Sequence, residues 1–206
     1  MILYLHSENP EIRKLKKISE DLKNGDVYVF PTDTVYAFIA DSASKTGIEK
    51  IDSIKRLDKH QPLSLLCPDI STASNYLEYF PDECYRIMKR CTPGPYVFIL
   101  KSSKLLLKAS VAHMKNREIG IRIVDHIFIK TLLGVHEGTL TATSVTNEGE
   151  FILDPNEIDD VFGHRVKGIV DGGILESELA TVIDFTGEEV VVKRAGKGYE
   201  NLMKVL

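Results

Sequence analysis

The stretch VFPTDTVYAFIAD, residues 29–41, begins as a buried strand and changes character at Pro31. The residues leading into it, 26–31, are rich in β-branched and aromatic side chains, which suit an extended, pleated surface. Pro31 has no N–H for a ladder. Thr32, Asp33, Thr34 and Tyr36 then place three hydroxyls and a carboxylate within five residues, and apolar residues resume at once. A polar turn at the end of a core strand has two readings. Asp33 and Thr34 cap the chain locally, or the hydroxyls stand where open α/β sheets bind ligands, just beyond a strand's end.

The pattern on either side predicts the fold class. Residues 2–6 read as a short strand. A helix is expected over 9–24, with Ile12, Leu15, Ile18 and Leu22 on one stripe and Gly25 at its C′ position. A second amphipathic helix is expected over 44–57, with Ile48, Ile51 and Ile54 inward. Strand 62–67 follows, then short helices near 72–79 and 82–90. Thr92 to Tyr96, TPGPY, form a rigid turn feeding a strand. Strand 119–124 precedes a helix from Asp125, and 139–145 is another strand. The segments GIVDGG, ATVIDF and EVVVKRAG supply the last strands. Strands alternating with helices indicate an α/β sheet, and the strand-rich C-terminal half indicates a mixed one.

The 206 residues suit one domain, with 43% apolar residues for its core. No apolar run approaches the ~20 residues of a membrane span, and no signal peptide is read at the N-terminus. Cys67, Cys84 and Cys91 lack metal or disulfide spacing, so reduced thiols and a cytoplasmic location are expected. The net charge of −4 argues against a uniformly basic nucleic-acid binder, without excluding a local basic groove. The six histidines are scattered and never at metal-ligand spacing, so no metal site is expected.

Several residues carry candidate chemistry. Lys55, Arg56 and Lys59 crowd a helix end, either answering the helix dipole or clamping phosphate. Arg122 is a lone cation in the apolar strand IGIRIV, so it is either a structural salt bridge or an anion clamp. TATSVTNEG, residues 141–149, sets small hydroxyl residues at a strand's end, without the spacing of a phosphate-binding P-loop.

Taken in order, these segments resemble a known series. FPTDTVYAFIAD, the Lys/Arg-rich helix end followed by Pro-Leu, the PGP turn, IGIRI before Asp125-His126, TATSV, ATVID and KRAG are similar to the motifs of the YrdC-like proteins, the threonylcarbamoyl-AMP synthase family, and within it to the YciO branch. The resemblance spans about residues 10–196 of one domain over 1–206. It implies a twisted, mixed and mostly parallel sheet around a large concave, positively charged groove. It implies condensation of L-threonine, bicarbonate and ATP, with Mg²⁺, into threonylcarbamoyl-AMP and pyrophosphate for a tRNA modification. By the same resemblance, Thr34, Tyr36, Arg122 and Thr181 would bind threonine or its carbamate. Lys55, Arg56 and Ser144 would act at the reacting centre, and Lys55, Arg56, Thr146 and Arg194 would hold the nucleotide. The alternative is a module that keeps the groove for tRNA, double-stranded RNA or a nucleotide, with the chemistry lost. Four departures fall at the implied site. K-x-R becomes Lys55-Arg56-Leu57, S-x-N becomes Ser144-Val145-Thr146, the glycine after the tyrosine is Ala37, and the serine of S-T-V-x-D is Ala180. They imply weakened or altered activity on an intact scaffold.

Overall fold

The computed structural model describes residues 1–55, 63–103 and 117–206. The expected helix end at Leu57, with Arg56 and Lys59 beside it, lies outside the described residues. In chain order the elements are β1 (Ile2–Leu3), α1 (Ile12–Lys23), β2 (Tyr28–Phe30), β3 (Ala37–Asp41), α2 (Lys45–Lys55), β4 (Ser64–Leu66), α3 (Ile70–Ser74), α4 (Asp82–Cys91), β5 (Tyr96–Lys101), β6 (Glu118–Arg122), α5 (Ile127–His136), β7 (Leu140–Ser144), β8 (Thr146–Asn147), β9 (Glu150–Phe151), α6 (Pro155–Phe162), β10 (Gly168–Val170), β11 (Thr181–Asp184), β12 (Val191–Arg194) and α7 (Tyr199–Met203).

Ten strands form one sheet in the order β1-β10-β2-β3-β7-β4-β6-β5-β11-β12, and β8 with β9 forms a separate hairpin. The sheet is mixed. Four of its neighbouring pairings are parallel and five antiparallel, so the expected parallel majority is absent. The reason is local. The polar turn after Phe30 returns the chain antiparallel, pairing Phe30 with Ala37, and β7 enters between β3 and β4 antiparallel to both.

Side-chain alternation gives the sheet two different faces. One carries Val29, Phe38, Ala40, Leu65, Phe98, Ile121 and Ile183, buried against α2, α4, α6 and α7. The opposite face carries Tyr28, Phe30, Ala37, Ile39, Leu66 and Leu140. It packs on Leu15, Ile18 and Leu22 of α1 and on Phe128, Ile129, Leu132 and Leu133 of α5. The α1 stripe is therefore buried except for its first member, because Ile12 is 47% exposed in the opening turn. Ser19 and His136 join the two helices by a 2.9 Å hydrogen bond, and His136 Nε2 lies 3.7 Å from Asp41 at the end of β3. Both helices cover only part of this face, and what they leave open is the site.

Candidate functional site

The uncovered part of the sheet is floored by small residues. Ala37 pairs with Ser144, Ser64 pairs with Ala142 and with Gly120, and all share the α1/α5 face by alternation. A side chain at Gly120 would crowd this floor, since its first carbon would stand 3.0 Å from Val97 Cγ1 and 3.4 Å from Ser64 Oγ. With no bulk above these positions, a cleft of about 140 Å³ remains. Thr34, Arg122, Ser144, Ala180 and Arg194 stand around it. It adjoins a wider depression of about 850 Å³ that shares Leu179 and Arg194 and includes Lys197, Tyr199, Asn201 and Lys204.

The polar turn closes one side. Thr32 Oγ1 donates to the Val35 carbonyl at 2.7 Å, accepts from the Thr34 N–H at 3.1 Å and meets Thr34 Oγ1 at 3.0 Å. This local knot presents Asp33 to Arg122. The guanidinium Nη2 donates to Asp33 Oδ1 at 2.7 Å, and the other carboxylate oxygen accepts from the Asp125 N–H at 3.0 Å. Both side chains are nearly excluded from water, at 9% and 7% exposure. Burial pulls the Arg122 pKa down, Asp33 opposes that, and the nearby positive charge of Arg194 adds to the lowering. Arg122 Nε is buried with no hydrogen-bond partner among the described residues. Both readings of Arg122 thus hold in one geometry: it is a buried ion pair, and it faces the cleft.

Arg194 differs. Its Nε donates to the Ala180 carbonyl at 2.9 Å, and among the described residues no carboxylate lies within ion-pair distance of it. Burial lowers its pKa as well. Lys55 donates to the Ser144 carbonyl at 2.7 Å and to Thr143 Oγ1 at 3.2 Å, bracing the end of β7 from behind the cleft lining. Burial lowers the Lys55 pKa. The folded chain therefore holds fewer protons at this amine than the unfolded chain. Stability gains a rising component as pH climbs from the lowered pKa toward the ordinary 10.5. Melting temperatures followed over that window should rise more for the wild-type chain than for Lys55→Met. Parallel curves would show that the amine is not titrating below its ordinary value.

The cleft brings together Thr34, Arg122, Ser144 and Arg194 from the sequence-derived candidates. Others stand behind it. Tyr36 is fully buried. Its hydroxyl donates to the Gly173 carbonyl at 2.8 Å and accepts from the Gly172 N–H at 2.8 Å, so it ties the turn to the segment after β10. Thr181 is also fully buried, donating to the Lys197 carbonyl at 3.0 Å and accepting from the Gly196 N–H at 3.1 Å. Thr146 lies on β8 opposite Phe151, away from the lining. Arg56 lies outside the described residues. Sequence reasoning missed the floor: Ser64, Gly120 and Ala142. Its signal was a small residue at alternate positions within PLSLLC, IGIRIV and TATSV.

Known proteins share this architecture. An uncharacterized protein of Haemophilus influenzae is 35% identical over 198 residues, 95% of each chain. The crystal structure of Escherichia coli YciO matches with a TM-score of 0.87 at 32% identity, covering 96% of both chains. That of Pyrococcus abyssi Sua5 complexed with L-threonine matches with a TM-score of 0.89 at 22% identity. It covers all of this chain and 62% of that one, and shows the fold alone. Residues 20–196 match the model of the Sua5/YciO/YrdC family, described as telomere recombination, and the chain belongs to that family.

Proposed function

We propose that the chain is a threonylcarbamoyl-AMP synthase-like enzyme, acting on L-threonine, bicarbonate and Mg²⁺-bearing ATP. The observation that carries this reading is the small floor beside two arginines of unequal charge balance. Asp33 neutralises Arg122 and aims it, which suits a carboxylate that needs directed N–H donors more than net charge. Arg194 keeps its positive charge, which suits a phosphate. A cleft of about 140 Å³ is below the ~300–1,000 Å³ of drug-sized sites, as an amino acid requires, and the nucleotide would extend into the adjoining depression. The family includes threonylcarbamoyl-AMP synthases, and a Pyrococcus abyssi member bears that name.

The chemistry is chiefly positioning. The threonine amine and bicarbonate give a carbamate and water. A carbamate oxygen attacks the α-phosphorus as the bond to pyrophosphate breaks, leaving threonylcarbamoyl-AMP. Anion approaches anion, so Arg194, with Arg56, would gather the phosphates while Arg122 holds the amino-acid carboxylate and Lys55, from behind the lining, holds the end of β7 in place. Ser144 would act from the cleft floor, beside Ala37. Pyrophosphate release should require all three substrates. Release that persists without threonine, or no release with ATP bound, overturns the reading. Titration of labelled tRNA at low and physiological ionic strength tests the groove-only alternative, which demands salt-sensitive binding without turnover.

A further inference from the structure

The far edge of the sheet offers an interaction surface unrelated to the cleft. β1 is the first strand in the sheet order and, among the described residues, pairs only with β10. The β10 side takes the Met1 and Leu3 carbonyls, which accept from the N–H groups of Ile169 and Asp171. In a parallel pair the intervening residues turn the other way. Ile2 and Tyr4 therefore direct their N–H and C=O groups to the open side. Lys14 Nζ occupies the Tyr4 carbonyl at 2.8 Å. Among the described residues, two donors and one carbonyl are left to meet a new strand.

This edge runs beside an apolar depression of about 860 Å³ between β1 and α1. Tyr4 is 68% exposed and Ile12, at the start of α1, is 47% exposed. The surroundings are cationic although the chain as a whole carries −4. Arg13, Lys14, Lys17 and Lys167 border the depression, with Asp21 as its one acid. Lys16 extends the same band along α1 beside Arg13, with Glu20 as the acid on that stretch. Lys14, Lys17 and Lys167 are each paired with a carboxylate. Arg13 and Lys16 have none within ion-pair distance among the described residues.

We infer that this edge is a docking site for an extended acidic segment of a partner protein, which adds to the sheet beside β1. Main-chain bonds to Ile2 and Tyr4 would set its register. Apolar side chains would enter the depression, and alternate carboxylates would meet Arg13 and Lys16. Charge selects this occupant over a second copy of the chain. Edge-to-edge pairing of two copies would bring two bands of lysine and arginine together.

The experiment uses the full-length protein and a capped peptide of alternating glutamate and valine, with alternating lysine and valine as its counterpart. Amide chemical shifts should move at Ile2, Leu3 and Tyr4 with the acidic peptide alone, and binding should weaken as salt rises. Arg13→Glu with Lys16→Glu should weaken it about tenfold or more, a change equal to ~1.4 kcal/mol. Tyr4→Pro should weaken it more than Tyr4→Ala, because proline also removes the outward N–H while an edge strand tolerates it. An unchanged melting temperature, with amide shifts away from the edge kept in place, will show that each variant is folded. No shift at these amides, equal binding of both peptides, self-association through β1, or binding only to phosphatidylserine vesicles would each overturn the proposal.

Discussion

Replacing Arg122 by alanine should destabilise the chain by about 3–5 kcal/mol, the loss expected when one partner of a buried ion pair is removed. The size follows from burial. Asp33 would keep its Asp125 N–H bond but would stand charged with the guanidinium gone and little water to replace it. Asp33→Ala should be similarly harmful, since Arg122 would lose its 2.7 Å partner and already has an unbonded Nε. The double variant should lose clearly less than the sum of the two, because neither charge is then left alone. Urea unfolding of the four proteins measures this. Additive losses would mean that the pair contributes no coupling. Threonine calorimetry on Arg122→Lys then separates ligand contact from scaffold. Lysine restores charge without the planar fork, so a purely structural arginine would leave threonine affinity unchanged.

Removing Arg194 should do the opposite, leaving the fold nearly intact and slowing the reaction. Arg194 sits on β12 at the exposed edge of the sheet, and its guanidinium Nε donates to the Ala180 carbonyl. Alanine there should shift the urea midpoint little. It should lower pyrophosphate release by about 10²–10³-fold, as for other preorganised charge-stabilising donors. A fall in KM-dependent rate alone, rescued by saturating ATP, would assign Arg194 to ground-state binding. An unchanged rate would remove it from the site.

The two arginines also show which parts of the molecule can be read from a string of letters. Strands and helices around residues 29–41 follow from periodicity, since burial of one stripe or one alternate set is a local demand. The return strand β3 is less legible. AFIAD is apolar on both faces because it is covered on both, so its period disappears. The helix α6 was missed although Asp154 caps it and Pro155 opens it, a signal that stands in plain view. At the site, Arg122 is conspicuous as a charge among aliphatic residues. Its partner Asp33 is 89 positions away, and no local rule joins them. Tyr36 and Thr181 carry hydroxyls suited to a ligand, yet backbone groups claim both. The empty floor was hardest to see, because a cleft made by Ser64, Gly120 and Ala142 exists only once three distant strands lie side by side.

Those three strands bear on how the protein is born. β7 lies in the middle of the sheet, yet its residues leave the ribosome long after those of β3 and β4, with which it pairs through Ala37–Ser144 and Ser64–Ala142. Until then both strands offer a bare edge, the condition that favours misassociation of nascent chains. Pairings so distant in sequence slow folding. Synthesis and assembly are thus out of step: the first half of the polypeptide must wait, shielded or at risk, for a five-residue segment that joins β3 to β4 and lays the middle of the cleft floor.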